Sequence, residues 1–308
     1  MPEGGVPPHR RTRLRRPHAK SARLRVLGTS YRVGARVTRA LPSAPRYALA
    51  GAGGSLWYLL SPAQRRSAVG NYAAVLGLDR EHPDAARVAR RAFANYGRML
   101  ADFVLIGSLG REELVARVTV DGREHLDTAL AAGRGVLMAV PHMGSWDMGG
   151  SYAGALGYRI AAVAERFPGS LDQAVVETRE ALGLRVIPLG RAAVRAIAEE
   201  LAANGVVALL CDLPQGPGVE VEFFGHTAVV PSGPGAFAVR TGAAVLPATI
   251  WRSGAGHYHV HIEPALPPPD AGRDGQVELM QGVVRHFERF IRARPDQWYA
   301  FRPMFNVG

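Results

Sequence analysis

The sequence predicts an α/β protein in which a mostly parallel β-sheet carries helices on both faces and amphipathic helices come first. After residue 118, short apolar runs alternate with helical patterns, as in chains built from successive strand–helix–strand units. The chain has 308 residues, of which 47% are hydrophobic and 20% charged, values typical of a globular protein with a large core. We therefore expect a single α/β domain over residues 43–308.

The segment 1–42 differs in composition from the rest of the chain. Its first 25 residues hold eight basic side chains and one acidic one, so they supply +7 of the formal net charge of +11. We expect this basic segment to be disordered and solvated or to contact an anionic membrane surface. Nucleic-acid binding is disfavoured, because no aromatic residues are interleaved with the basic residues of 10–25.

Helical patterns fill residues 43–115. Ser61 followed by Pro62 predicts a helix start, and apolar residues recur at helical spacing over residues 82–100. The most apolar stretch, residues 47–60, is 14 residues long, whereas a membrane-spanning helix needs about 20. We expect this stretch to lie on a membrane without crossing it, with Trp57 and Tyr58 at the interface.

Strands and helices then alternate to the end of the chain. The pattern predicts strands within residues 133–140, 157–165, 185–190, 206–211, 243–251 and 257–266, and helices within 172–183, 191–205, 232–242 and 275–295. The last strand alternates polar and apolar residues, which is typical of a half-exposed edge strand. Its three histidines, His257, His259 and His261, share one face, and we interpret them as an exposed face rather than a metal site.

Several common catalytic motifs do not occur in the sequence. It contains neither G-x-S-x-G, nor a phosphate-binding G-x-x-x-x-G-K-[ST], nor H-E-x-x-H, and no G-x-G-x-x-G follows a strand. The one cysteine, Cys211, excludes an intrachain disulfide. It ends an apolar run, which favours a buried small side chain over a thiol nucleophile.

The stretch AVPHMGSWDMGG, residues 139–150, places His142 at a strand end and Asp147 five residues later, where a helix begins. An aspartate that accepts a hydrogen bond from one imidazole nitrogen leaves the other nitrogen free to take a proton from a hydroxyl. Since the sequence offers no serine nucleophile, that hydroxyl would belong to a substrate. The spacing alone favours a structural histidine beside a helix-start acid over this catalytic arrangement.

Residues 141–150 resemble the H-x-x-x-x-D motif of glycerolipid acyltransferases, in the form found in the bacterial lipid A late acyltransferase family. Four further blocks follow in the same order as in that family, at residues 164–167, 178–189, 211–248 and 296–305. The likeness spans roughly residues 45–305 and is greatest to the actinobacterial phosphatidylinositol mannoside acyltransferases. The resemblance implies the glycerolipid acyltransferase-like α/β fold.

The resemblance also implies roles for individual residues. His142 would be the catalytic base with Asp147 beside it, and Glu220 would be the glutamate that pairs with the histidine. Glu222 shares the strand face of Glu220 and leaves that assignment open between the two. The remaining matched positions imply contacts with substrate, and they are Glu165, Arg179, Asp212, Glu222 and Arg302. The family usually has Asp-Arg-Asp where this chain has Leu-Cys-Asp at 210–212, so one arginine is missing there.

The function that the resemblance implies is the transfer of a long-chain acyl group from acyl-CoA or acyl carrier protein to a hydroxyl of a glycolipid, most simply phosphatidylinositol mannoside. The donor would be a co-substrate, and neither a metal nor a permanently bound cofactor is expected. The expected location is the cytoplasmic face of the inner membrane, as a peripheral protein. Two alternatives remain: another glycolipid or lipid A-type acceptor, and a catalytically silent lipid-binding relative.

Overall fold

In the computed structural model of this protein, residues 18–216 and 218–305 are described, residues 18–28 by their backbone alone. The strands are β1 (Val118–Asp121), β2 (Val136–Val140), β3 (Ile160–Ala164), β4 (Leu184–Pro188), β5 (Val206–Leu210), β6 (Gly218–Phe223), β7 (His226–Pro231), β8 (Ala244–Gly254) and β9 (His257–Ile262). Seven of them form one sheet in the order β1-β9-β8-β2-β5-β3-β4. Only β8 and β9 run antiparallel within it, so the predicted mostly parallel sheet is confirmed.

The helices are α1 (His18–Ala40), α2 (Ser43–Leu60), α3 (Pro62–Leu76), α4 (Pro83–Ile106), α5 (Arg111–Val115), α6 (Arg123–Ala131), α7 (Trp146–Ala155), α8 (Ser170–Ala181), α9 (Arg191–Ala202), α10 (Gly233–Thr241) and α11 (Arg273–Ala293). A short 3-10 helix, Pro295–Gln297, follows α11. The predicted start of α3 is confirmed, with Ser61 at the N-cap and Pro62 as the first helical residue.

Both faces of the sheet are covered, because neighbouring residues of the buried strands enter different cores. In β2, Leu137 and Ala139 pack in a core that includes residues of α3, α4 and α11. Val136 and Met138 face the opposite way, into a second core with residues of α5, α6 and α7. This alternation follows from the two-residue period of a strand and explains why β2 reads as a continuous apolar run.

Helices α2 and α4 cross at a distance that only glycine permits. A Cβ atom on Gly54 would lie 2.0 Å from the Phe93 carbonyl oxygen, and one on Gly97 would lie 2.2 Å from the Ala50 carbonyl oxygen. The close crossing turns Trp57 and Tyr58 inward, where both rings contact Phe93. The expectation that these two aromatic residues lie at a membrane interface is therefore corrected.

The basic N-terminal segment is helical in its described part. Residues 18–40 form α1, which packs against α4 and α8, where we expected disorder. Tyr31 is buried and donates a hydrogen bond to the Phe103 carbonyl oxygen, and Arg32 pairs with Glu177 of α8. Residues 1–17, the first part of the segment 1–42, lie outside the described residues.

Three further details differ from the sequence expectation. β9 lies between β1 and β8, so it is an internal strand instead of an edge strand. His259 stacks on Trp251 and its Nε2 lies 2.7 Å from the Asp121 carboxylate, which gives that histidine a structural place. Strands β6 and β7, which are not among the strands predicted above, form a separate antiparallel hairpin outside the main sheet.

Candidate active site

The candidate site lies where β2 and β5 end. These strands are parallel neighbours, and Val140 at the end of β2 pairs with Leu210 at the end of β5. His142 and Asp212 each follow two residues after that pair, so both reach the same carboxyl edge of the sheet. This edge is where open α/β proteins bind ligands.

The two side chains are hydrogen-bonded. His142 Nδ1 lies 2.7 Å from Asp212 Oδ1, and the His142 backbone N–H donates to both carboxylate oxygens at 3.0 Å. The Trp298 indole N–H donates to Asp212 Oδ2 at 2.7 Å. The Asp212 side chain is fully buried, whereas the His142 side chain remains 21% exposed.

These contacts fix the tautomer of the histidine. A backbone N–H and an indole N–H are obligatory donors, so Asp212 accepts from every partner as an ionised carboxylate does. Nδ1 of His142 therefore carries the proton, and Nε2 carries the lone pair. Among the described residues Nε2 has no hydrogen-bond partner, so it is free to accept a proton from a substrate hydroxyl.

The C-terminal segment, the residues that follow α11, holds the loop that carries His142. The Gly144 N–H donates to the Gln297 carbonyl oxygen, and the Tyr299 N–H donates to the His142 carbonyl oxygen, both at 2.9 Å. Gly144 has a φ of +62°, and a Cβ there would lie 2.0 Å from the Ile250 carbonyl oxygen. The loop is thus held between β8 and residues 297–299.

Asp147 is directed elsewhere than the sequence suggests. It lies in the first turn of α7, and its Oδ1 accepts from Nε of Arg179 at 2.7 Å. Both side chains are about nine-tenths buried, and the guanidinium also lies over the Phe103 ring. Asp147 and Arg179 therefore join α7 to α8, and the expectation that Asp147 lies beside the histidine ring does not agree with this geometry.

Glu220 and Glu222 also lack a bond to His142. Both are on β6, where Val219, Val221 and Phe223 point inward and the two glutamates point to solvent. The backbone of Glu222 exchanges two hydrogen bonds with the side chain of Gln281 on α11. The period of the strand therefore places both carboxylates on the outer face of the hairpin, and Asp212 occupies the position expected for a glutamate.

Glu165 lies on the same sheet edge as His142, directly after β3, and its exposed carboxylate accepts a hydrogen bond of 2.7 Å from Gln215. Arg302, in the C-terminal segment, has an exposed side chain, and its backbone carbonyl oxygen accepts a hydrogen bond of 2.7 Å from the Asn71 side chain. A third charged residue, Arg240, is also exposed, and its guanidinium lies over the ring of Phe237. Glu165 and Arg302 thus remain accessible to a ligand.

Cys211 is fully buried between β5 and Asp212. Burial, reinforced by the charge of Asp212, raises the pKa of its thiol well above the ordinary value. A thiol of this kind stays protonated at neutral pH and is a poor nucleophile. Within the described part of the chain, no three His, Cys, Asp or Glu side chains converge as metal ligands would.

A row of aromatic rings leads away from His142 toward α2. The ring of Trp146 lies 5.6 Å from that of His142, and Tyr299 lies 6.1 Å from Trp146. Tyr96 of α4 then lies 5.2 Å from Tyr299, and Trp57 of α2 lies 5.5 Å from Tyr96. Burial raises the pKa of Tyr299 and of Tyr96, so both phenols stay neutral and the row is an uncharged part of the core.

Two features of the site escaped the sequence analysis. Asp212 was matched to a substrate contact, although its position two residues after a buried strand is the same as that of His142. Trp298 lies within the matched block 296–305, and no residue spacing indicates its contact with Asp212. The sequence did contain an indication for Asp212, because it follows a buried strand at the same spacing as His142. It contained no such indication for Trp298.

Comparison with known proteins gives one family and several named relatives. The family model described as bacterial lipid A biosynthesis acyltransferase matches residues 19–306. A phosphatidylinositol mannoside acyltransferase of Mycobacterium tuberculosis is 35% identical over 244 residues, which are 76% of this chain and 75% of that protein. The phosphatidylinositol mannoside acyltransferase of Mycolicibacterium smegmatis is 32% identical over 290 residues, 91% of each chain.

Proposed function

Because this chain belongs to the bacterial lipid A biosynthesis acyltransferase family, we propose that it transfers a long-chain acyl group from an acyl thioester to a hydroxyl of phosphatidylinositol mannoside. The chain is an O-acyltransferase, and the names of its relatives support a glycolipid acceptor. The observation that carries the chemistry is the His142–Asp212 pair at the sheet edge with Nε2 unbonded.

The proposed reaction is a direct transfer. Nε2 of His142 removes the proton of the acceptor hydroxyl as its oxygen attacks the thioester carbonyl, and Asp212 stabilises the imidazolium that forms. The tetrahedral intermediate collapses to the ester, and the imidazolium returns its proton to the departing thiolate. The acyl group passes straight to the acceptor, in keeping with the burial of the thiol of Cys211.

The donor is proposed to be acyl-CoA or acyl carrier protein, used as a co-substrate. The aromatic row from Trp146 to Trp57 supports a path for its acyl chain, because it begins in ring contact with His142 and ends on an apolar helix. At the polar end, Glu165 and Arg302 are exposed and are proposed to contact the acceptor headgroup or the donor. Asp147 and Arg179 are proposed to support the α7 end of the site through their mutual ion pair.

The protein is proposed to act as a peripheral protein at the cytoplasmic face of the inner membrane, which both substrates would reach. No helix among the described residues has the length and apolarity to cross a bilayer. Support for docking comes from α2, where Leu49, Leu56 and Leu60 lie on one side of the helix with 65%, 54% and 72% of their surface exposed. We call these three residues the leucine stripe, and its burial in lipid would remove apolar surface from water.

The test is acyl transfer by the purified protein with radiolabelled palmitoyl-CoA and phosphatidylinositol mannoside. The wild type is expected to form the acylated lipid, and His142→Ala is expected to lower kcat by roughly 10²- to 10⁴-fold while the circular dichroism spectrum is unchanged. Acylation of another glycolipid alone would reassign the acceptor. Equal turnover by His142→Ala and the wild type would refute the mechanism, and palmitoyl-carrier protein in place of the CoA ester distinguishes the donors.

A further inference from the structure

The carboxylate that orients His142 has a partner of its own. Asp212 Oδ2 accepts from the indole N–H of Trp298 at 2.7 Å, while Oδ1 faces His142 Nδ1 at the same distance. The rotation of a carboxylate about its last bond decides which oxygen faces the histidine, and a fixed donor on the far oxygen sets that rotation. Trp298 thus touches no reacting atom, yet it faces the group that orients the base.

Trp298 is itself held rigidly. Its side chain is fully buried, its carbonyl oxygen accepts from the Tyr72 hydroxyl, and its ring lies at an edge-to-face angle to Tyr72. It also forms a β-bridge with Met143, the residue after His142. The indole and the histidine loop are therefore parts of one hydrogen-bonded unit.

The residue before Trp298 ties that unit to the sheet. The Gln297 side chain exchanges two hydrogen bonds with the backbone of Arg252 on β8, at 2.8 and 3.0 Å. The guanidinium of Arg252 pairs with the fully buried Asp102 of α4. Strand β8 and helix α4 thus fix the place from which the indole donates.

From these contacts we infer that Trp298 is a positioning residue for the acyl transfer. Its indole N–H holds Asp212 in the orientation that keeps His142 Nδ1 protonated and directs Nε2 toward substrate. The inference rests on the proposed role of His142. It extends the site to a chain of three side chains, Trp298, Asp212 and His142, drawn from the C-terminal segment and from the ends of β5 and β2.

The first variant is Trp298→Phe, which keeps an aromatic ring and removes the donor. It is expected to lower kcat by roughly 10- to 100-fold, the worth of one hydrogen bond to a charged group, with KM unchanged because the indole does not contact substrate. Trp251→Phe is the control, since its indole stacks between His259 and Arg294 away from Asp212. It is expected to keep the kcat of the wild type.

Two measurements separate positioning from a structural role. In an Asp212→Asn background, Trp298→Phe is expected to cost nothing further, because the two residues act through one contact. In ¹⁵N-histidine-labelled protein, the downfield proton resonance of His142 Nδ1 is expected to shift or broaden in Trp298→Phe and to stay in place in Trp251→Phe. The NMR measurement needs no turnover. It therefore tests whether Trp298 orients Asp212 and His142 even if the protein transfers acyl groups to no acceptor.

A shape-conserving replacement covers the case in which Trp298→Phe unfolds. Incorporation of β-(3-benzothienyl)alanine at position 298 keeps the bicyclic ring and replaces the N–H by sulfur, and it is expected to lower kcat and move the Nδ1 resonance in the same way. A folded protein with this residue that keeps the kcat and the resonance of the wild type would overturn the inference. Additive losses in the Asp212→Asn background would overturn it as well.

Discussion

At the scale of single residues, the identity of the carboxylate beside His142 leads to a direct prediction. Asp212→Asn keeps the shape of the side chain and removes the charge that stabilises the imidazolium, so kcat is expected to fall by roughly 10²- to 10⁴-fold. Glu220→Gln is the matched comparison, because Glu220 is exposed on the outer face of its hairpin. It is expected to change kcat by about twofold or less.

The measurement is steady-state acyl transfer at saturating donor and acceptor, with thermal melting of each variant as the check on folding. The expected ranking reverses what residue matching alone suggests, since the match assigns the pairing role to Glu220. A large loss in Glu220→Gln together with near-normal turnover in Asp212→Asn would show that the hairpin moves onto His142 during the reaction.

The sequence predicted that His142 follows a strand, which the structure confirms, but it did not indicate which carboxylate is hydrogen-bonded to that histidine. His142 and Asp212 follow β2 and β5, and both strands are recognisable from their apolar runs. Their adjacency is a property of the sheet, since β3 and β4 come between them in the chain and yet pair on the far side of β5. Asp147 is nearer than Asp212 to His142 along the chain, but in the structure Asp212 is the carboxylate that is hydrogen-bonded to the histidine.

At the scale of elements, the crossing of α2 and α4 predicts opposite effects for two adjacent glycines. Gly54→Ala would place a methyl group against the Phe93 backbone, and we expect it to lower the free energy of unfolding by about 1–3 kcal/mol. A Cβ on Gly53 meets no atom within 4 Å. Gly53→Ala is therefore expected to raise the free energy of unfolding by up to about 1 kcal/mol through helix propensity.

Urea denaturation of the two single variants gives the comparison, with an unchanged m-value as the sign that only native-state stability differs. Because the glycines are neighbours on one helix, the pair controls for position along α2. Destabilisation of the same size in both variants would mean that α2 and α4 do not cross as closely as the structure has them.

Element types were predictable where local patterns decide them, and placements were not. Ser61 and Pro62 predict the start of α3, the apolar spacing over residues 82–100 predicts α4, and the runs at β2, β5 and β8 predict buried strands. The alternation of polar and apolar residues in β9 is typical of an edge strand. In the structure its polar face is covered within the sheet, since His259 contacts Trp251 and Asp121. Such partners come from elsewhere in the chain, so periodicity does not reveal them.

At the scale of the whole molecule, the leucine stripe and Trp57 of the aromatic row lie on different faces of α2. Trp57 faces the row that leads to His142, while Leu56, the preceding residue, faces outward. A helix arranged in this way would place its exposed leucines in a lipid surface while Trp57 contacts the aromatic row that begins at His142. The 14-residue apolar stretch of the sequence thus divides between two faces, one for the core and one exposed.

Membrane docking through that exposed face is open to a direct test. Leu56→Ser with Leu60→Ser removes two exposed leucines whose burial in lipid is worth about 1.5–3 kcal/mol each when complete. We expect sedimentation with phosphatidylcholine vesicles that contain phosphatidylinositol to weaken by tenfold or more, since about 1.4 kcal/mol corresponds to tenfold in affinity. Thermal melting is expected to be unchanged, because neither leucine is in the core.

The control is Leu189→Ser with Val194→Ser, which removes two apolar side chains of 51% and 46% exposure that lie after β4 and on α9. This variant is expected to bind the vesicles as the wild type does. Equal weakening in both variants would indicate a general effect of surface hydrophobicity, and undiminished binding by the α2 variant would exclude the leucine stripe as the docking surface. In that case, removal of residues 1–17 tests whether the basic N-terminal segment alone attaches the protein to anionic lipid.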